Sequence, residues 1–161
     1  MRPITFRHSM PIEETMAFDA VYPKGLQYDV DEKRSILETP GSVAAWMFVG
    51  EELVGESYGI PLSGDDDELP WIGALPPEER RTGIYCYSNT ILPPYQRSGY
   101  GKILKAYWLG LVKGKGFAVV YGQARPGASQ RLNADFGAVF LDAFPDYAGT
   151  GEEYRLYRLQ L

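Results

Sequence analysis

A chain of 161 residues with 45% apolar and 23% charged side chains suits one domain spanning 1–161, and no run nears the roughly 20 apolar residues of a membrane-spanning helix. Its 16 basic and 21 acidic residues leave a net charge of −5, which argues against a nucleic-acid partner and fits a cationic or neutral substrate better. The single cysteine, Cys86, excludes an internal disulfide and suits a reducing, cytoplasmic setting. With one histidine, His8, it cannot make up a usual zinc site, so no metal is expected.

The first ten residues hold no long apolar core, so they do not read as a signal peptide. Ile4–Arg7 alternates apolar and polar side chains, as a short strand does. Pro11 then opens a helical stretch with Glu13 and Glu14 in its first turn, and a second helix is expected over 31–37, stopped by Pro40 and Gly41. Val43–Val49 and 53–60 read as an antiparallel pair turning at Gly50-Glu51-Glu52. A long connection, 61–82, carries the acidic run Asp65-Asp66-Asp67-Glu68 and then Trp71 and Ile72. Loops of this length are functional or disordered more often than not. The acidic run reads as a solvated loop or as a lure for a cationic amine. Trp71 and Ile72 either cover a substrate or dock the loop.

Residues 84–92 form a further strand by their Tyr, Ile and Thr content, ended by Pro93-Pro94. Ile103, Leu104, Tyr107, Trp108, Leu111 and Val112 then recur at helical spacing, with Lys102, Lys105 and Lys113 between them and Gly114 and Gly116 at the end. Residues 117–121 are a buried-type strand, 128–136 a short helix ended by Gly137, and 139–141 and 154–159 the closing strands. The fold class that follows is mixed α/β (α+β), with a strand–helix–strand unit at 84–121 in its middle.

The segment between that strand and helix is Gln96-Arg97-Ser98-Gly99-Tyr100-Gly101-Lys102. Glycines let the backbone turn tightly and approach a ligand, and the first helical turn leaves several N–H groups without partners at the positive end of the helix dipole. Such a place suits a pyrophosphate, with Arg97 and Lys102 able to add charged contacts. The spacing of a Rossmann loop, G-x-G-x-x-G, is absent, and so is the P-loop string.

The run from Ile91 through Leu92, Pro93, Pro94 and Tyr95 to Gly101 resembles the signature of GNAT acetyltransferases, in which an apolar residue and a proline precede Q/R-x-x-G-x-G/A. The hairpin at Gly50, Ser129 to Gly137, and the strand 154–159 resemble further parts of that family. The resemblance implies a mostly antiparallel central sheet with a splayed parallel pair of strands and flanking helices. It implies acetyl-CoA as co-substrate, with pantetheine along Asn89, Ile91 and Leu92 and the pyrophosphate on Gln96, Arg97, Ser98, Gly99, Tyr100, Gly101 and Lys102. The reaction it implies is direct attack of a primary amine on the thioester, the oxyanion held by an N–H near Ile91 or Leu92. The acceptor is then a small-molecule or peptide amine, with no membrane partner. Relatives often form homodimers, although no patch in the sequence argues for one.

The chain departs from the family at two positions. Tyr85 stands where many members place a glutamate base, and Asn133 where many place a tyrosine acid. On a regular strand Tyr85, Tyr87 and Asn89 share one face, and Cys86 and Ser88 the other. The first set is expected to line the cleft, with Tyr85, Tyr87 and Asn133 as the catalytic candidates. Glu56 is either a remote base or a solvent-facing strand carboxylate. Cys86 reads as a small packed residue, since a nucleophilic role needs an activating base. His8 has no expected task. Two other functions are compatible with these residues: CoA binding without transfer, and an interaction module on the same fold.

Overall fold

The computed structural model describes residues 2–62 and 70–161. The acidic run at 65–68 lies outside the described residues. Strand β1 is Ile4–Arg7, and helices α1 (Ile12–Asp19) and α2 (Val30–Glu38) follow. Asp29 caps α2 through a box in which Glu32 N–H donates to Asp29 and the Glu32 carboxylate accepts from Asp29 N–H. Strands β2 (Val43–Val49) and β3 (Glu52–Pro61) form the expected hairpin, turning at Gly50 with a φ of 64°. A 3-10 turn at Pro70–Ala74 and helix α3 (Pro77–Thr82) lead into β4 (Gly83–Ile91). Helix α4 is Tyr100–Gly114, β5 Val119–Ala124, α5 Ala128–Asp135, β6 Val139–Phe144 and β7 Tyr154–Gln160. No helix among the described residues is long and apolar enough to cross a membrane.

Helix α3 was not expected from the sequence. It has only six residues, too few to show a periodicity, yet its end chemistry is favourable: Pro77 at the first position, Glu78 and Glu79 in the first turn, Arg80 and Arg81 in the last. Trp71 and Ile72 dock the connection onto the body. Ile72 is buried, and the Trp71 ring lies 5.8 Å from Tyr85 and 5.5 Å from Tyr121. Two strand limits also move: β5 begins two residues later than expected and runs to Ala124, and β6 extends to Phe144.

The strands lie in the order β1-β2-β3-β4-β5-β7-β6, and β4 with β5 is the parallel pair. That pairing spans only Gly83 to Cys86 against Val119 to Gly122, while β4 stays paired with β3 as far as Ile91. Beyond Cys86 and Gly122 the two strands part. The cause is local. Tyr58 faces Ser88 and Gly59 faces Cys86, so Tyr87 is an extra residue, a β-bulge, just past the last parallel pair. A bulge bends and twists its strand and interrupts pairing.

Helices α4 and α5 cover one face of the sheet. There Trp108, Leu109 and Val112 of α4 pack with Val43, Ile84 and Val120, and Leu104 packs with Met47, Val54 and Ile91. Helices α1 and α2 cover the other, where Phe18 packs with Trp46 and Phe48. Glycine is required at position 59 by close approach: a Cβ there would lie 2.3 Å from the Tyr85 carbonyl oxygen and 3.0 Å from the Trp108 ring. Gly59→Ala should therefore cost roughly 1–3 kcal/mol of stability through overpacking at the bulge. A urea midpoint equal to the wild type would show that this seam has slack.

Candidate functional site at the opening between two strands

The loop ahead of α4 is turned by two left-handed residues, Arg97 with φ 63° and Gly99 with φ 81°. Gly99 caps the helix without a side chain, and its carbonyl accepts from the N–H groups of Lys102 (3.1 Å) and Ile103 (3.3 Å). The Ser98 N–H closes the turn at Gln96 and Arg97, whereas among the described residues nothing accepts a hydrogen bond from the N–H groups of Arg97, Gly99, Tyr100 or Gly101. Four donors at the positive end of a 15-residue helix form a cradle for a polyanion. Gln96 clips the loop to β4 by donating from Nε2 to the Ile91 carbonyl at 2.9 Å, and Ser98 Oγ donates to the Gln96 carbonyl at 3.4 Å. Arg97 is exposed, and Tyr100 packs beside Ile91 and Leu104. Lys102 is committed elsewhere, in an ion pair of 2.8 Å with Asp135 on α5. A Cβ at Gly101 would lie 3.8 Å from both Ile91 and Leu132, in the space between β4 and α5.

Two amides face that space. Asn133 is 5% exposed; its Nδ2 donates to the Ser129 carbonyl at 2.9 Å, and its Oδ1 is buried without a partner among the described residues. Both polar atoms of Asn89 are likewise buried and unpartnered. Leu92 is turned away: its N–H donates to Val54 at 3.0 Å and its carbonyl accepts from Tyr95 at 2.9 Å, so this N–H is not free to hold an oxyanion.

The expectation that Tyr85, Tyr87 and Asn89 share a face is corrected by the bulge. Tyr85 and Tyr87 do meet, with ring centroids 4.9 Å apart, on the α1/α2 side. Ser88 joins them, since its hydroxyl and that of Thr90 both hydrogen-bond Tyr22. The extra residue flips Asn89 to the α4 side with Ile91. Tyr85 and Tyr87 therefore stand on one side of the sheet and Asn133 on the other. Burial holds the Tyr85 hydroxyl well above its ordinary pKa, which makes it a neutral hydrogen-bonding group and a poor base.

Two buried lysines escaped the sequence reading. Lys33 Nζ lies 2.6 Å from Asp19 and 2.9 Å from Glu56, and Glu56 also accepts from Trp46 Nε1 at 2.9 Å. Glu56 is thus neither solvent-facing nor open to the cleft; it is 1% exposed. On the opposite face Lys105 is buried, with no carboxylate partner among the described residues. Its Nζ is 3.9 Å from Cys86 Sγ and 3.2 Å from Tyr157 Oη, and it lies over the Trp108 ring. Burial pulls its ammonium pKa down, against the opposing pull of the Cys86 thiol. Cys86 therefore has a basic neighbour after all. The sequence did carry a signal: Lys105 precedes Trp108, Leu109 and Val112 by three, four and seven positions, on the buried stripe.

Desolvation pushes the Glu56 carboxyl up to about 7, with Lys33 pulling it down. The folded state thus binds the proton more tightly than the unfolded chain does. Its contribution to stability is complete below the ordinary carboxylate range and is lost as pH rises through 7. Wild type should lose about 1–3 kcal/mol relative to Glu56→Gln between pH 5 and pH 8. Parallel urea midpoints across that window would contradict the assignment.

No protein-family model matches the chain, and no curated protein does. Solved structures do. Arabidopsis thaliana NAA60 in complex with a bisubstrate analogue superposes with a TM-score of 0.75 at 14% identity, covering 98% of each chain. A ribosomal-protein-alanine N-acetyltransferase from Brucella melitensis gives 0.72 at 16% identity, over 98% of this chain and 99% of that one. The acetyltransferase-like yncA from Salmonella typhimurium, solved with acetyl-CoA, gives 0.71 at 16% identity, over 98% and 94%. These likenesses show the fold: a mixed α/β sheet of the GNAT type.

Proposed function

We propose that this chain, a GNAT fold acting as one domain over residues 1–161, is an acetyl-CoA-dependent N-acyltransferase that moves an acetyl group directly to a primary amine in a ternary complex. The observation that carries the reading is the cradle of four unpartnered N–H groups at the start of α4, opening onto the gap between β4 and β5. The residues fit the co-substrate: Arg97, Gly99, Tyr100 and Gly101 would hold the pyrophosphate through backbone N–H groups, with the exposed Arg97 side chain and the Ser98 hydroxyl adding contacts. Asn89 and Asn133 offer their unpartnered amide atoms to the pantetheine arm, beside the β4 edge that β5 leaves uncovered. When bound, acetyl-CoA supplies the acyl group as an activated thioester.

The chain's own task is then to present a neutral amine from the α1/α2 side. A lysine-like amine with a pKa near 10.4 faces a deprotonation penalty of roughly 4–5 kcal/mol at pH 7. Tyr87 and Tyr85 flank the vertex of the opening and orient the nitrogen or a water, while the raised pKa of the Tyr85 phenol leaves the proton to solvent. Binding in a dry cleft without transfer is the second reading. It is favoured by the absence of a carboxylate at the Tyr85 position and by the neutral phenol found there. The neighbours' substrates include ribosomal protein alanine, which supports an amine acceptor as a class. The setting we infer is cytoplasmic.

Calorimetric titration with acetyl-CoA tests the cofactor assignment, with dephospho-CoA as the comparison ligand. Gly99→Val forces a β-branched residue into a left-handed φ, and Gly101→Val fills the space between Ile91 and Leu132. Both should abolish binding while far-ultraviolet dichroism stays native. Normal binding by both variants would remove the loop from the site. Asn133→Ala should lower turnover by no more than about tenfold, the loss of one net hydrogen bond. A thousandfold loss would make that amide central to the chemistry.

A further inference from the structure

We infer that the pocket on the α1/α2 side of the opening selects a small aliphatic diamine, holding its second, charged nitrogen among tyrosine faces while the first nitrogen reaches the vertex. The acceptor role rests on the acyltransferase reading; the preference for a compact organic cation rests on the walls of the pocket alone.

Seven tyrosines line this pocket, and among the described residues no lysine or arginine does. The Tyr87 ring is parallel to Tyr58 at 6.2 Å and lies 6.1 Å from Tyr28, with Tyr85 edge-on to it. On the other wall Tyr147 stands 5.0 Å from Tyr154. Aromatic faces converging from several sides attract a desolvated cation through their quadrupoles. Two acceptors add to this. Gln123 Oε1, on the first β5 residue past the parallel pairing, and Tyr154 Oη are buried without partners among the described residues. Asp19 lines the pocket as well and accepts from the buried Lys33 behind it, which it shares with Glu56.

One nitrogen cannot serve both halves of the site. The rings and acid favour a charged amine, whereas attack needs a neutral one. A second nitrogen a few carbons away resolves the conflict. The acceptor is also small. Leu26 and Tyr147 both line the pocket, and the turns that carry them, Lys24–Leu26 and Tyr147–Gly149, are in contact. A Cβ on Gly25 would lie 2.1 Å from the Ala148 carbonyl oxygen. An extended peptide would have to part these turns; a four-carbon chain would not.

The test is calorimetry on the full chain with 1,4-diaminobutane, 1-aminobutane and 4-amino-1-butanol, with and without desulfo-CoA, followed by acetyl transfer to the same three compounds. The diamine should bind at least about tenfold more tightly than either mono-amine, a preference that Tyr147→Leu removes and Tyr147→Phe retains. Equal affinity for the three, no binding at 10 mM, or a preference that survives both Tyr147→Leu and Tyr58→Leu overturns the inference. Diamine selectivity in a protein that does not bind acetyl-CoA upholds the cation pocket and removes the acyltransferase reading. Acetyl-CoA binding with equal transfer to 1-aminobutane or a peptide does the reverse.

Discussion

Parallel pairing between β4 and β5 covers four residue pairs and ends at Cys86 and Gly122, and both sides of the candidate site follow from that ending. The strands separate just where Tyr87 stands as an extra residue on β4, which stays paired with β3 while its pairing with β5 ends. The separation uncovers one edge of β4 for a ligand's amide groups. It also joins the two faces of the sheet, which a continuous ladder would keep apart. Gly59 and Gly122 permit the geometry by close approach. A Cβ at the first would meet the Tyr85 backbone, and one at the second the Tyr157 hydroxyl at 2.6 Å.

The two faces have opposite chemistry. On the α4/α5 side the groups offered are backbone N–H donors and side-chain amides, which suit phosphates and a pantetheine chain. On the α1/α2 side they are phenol rings, hydroxyls and a carboxylate, which suit an amine. The division matches a reaction in which an anionic donor and a cationic acceptor meet from opposite sides of one sheet.

The two buried lysines mark the same contrast in energy. Lys33 carries two acids and lies in a compensated network, where loss of one partner typically costs several kcal/mol. Lys105 sits against a thiol, a phenol and the Trp108 ring, with no carboxylate partner among the described residues, so burial drives it toward the neutral form. Its hydrogen bond to Tyr157 fixes that ring across Gly122, at the vertex where the parallel pair ends.

Local rules in the sequence determined much of this protein. The hairpin at Gly50, the amphipathic stripe of α4 and the glycine loop at 96–102 depend on turn chemistry, side-chain period and unpartnered helix ends, all of which act within a few residues. What only the tertiary structure decided were features that need two distant segments to meet. The bulge at Tyr87 exists through its register with β3, and it alone moved Asn89 away from Tyr85. Glu56 became a buried ion-network member because Lys33 reaches it from a helix 23 residues earlier. Lys102 is held by Asp135 on α5, and the tyrosines of the pocket on the α1/α2 side come from segments as far apart as Tyr22 and Tyr154. Periodicity shows which face a residue takes on a regular element; irregular pairing and long-range charge decide where that face ends up.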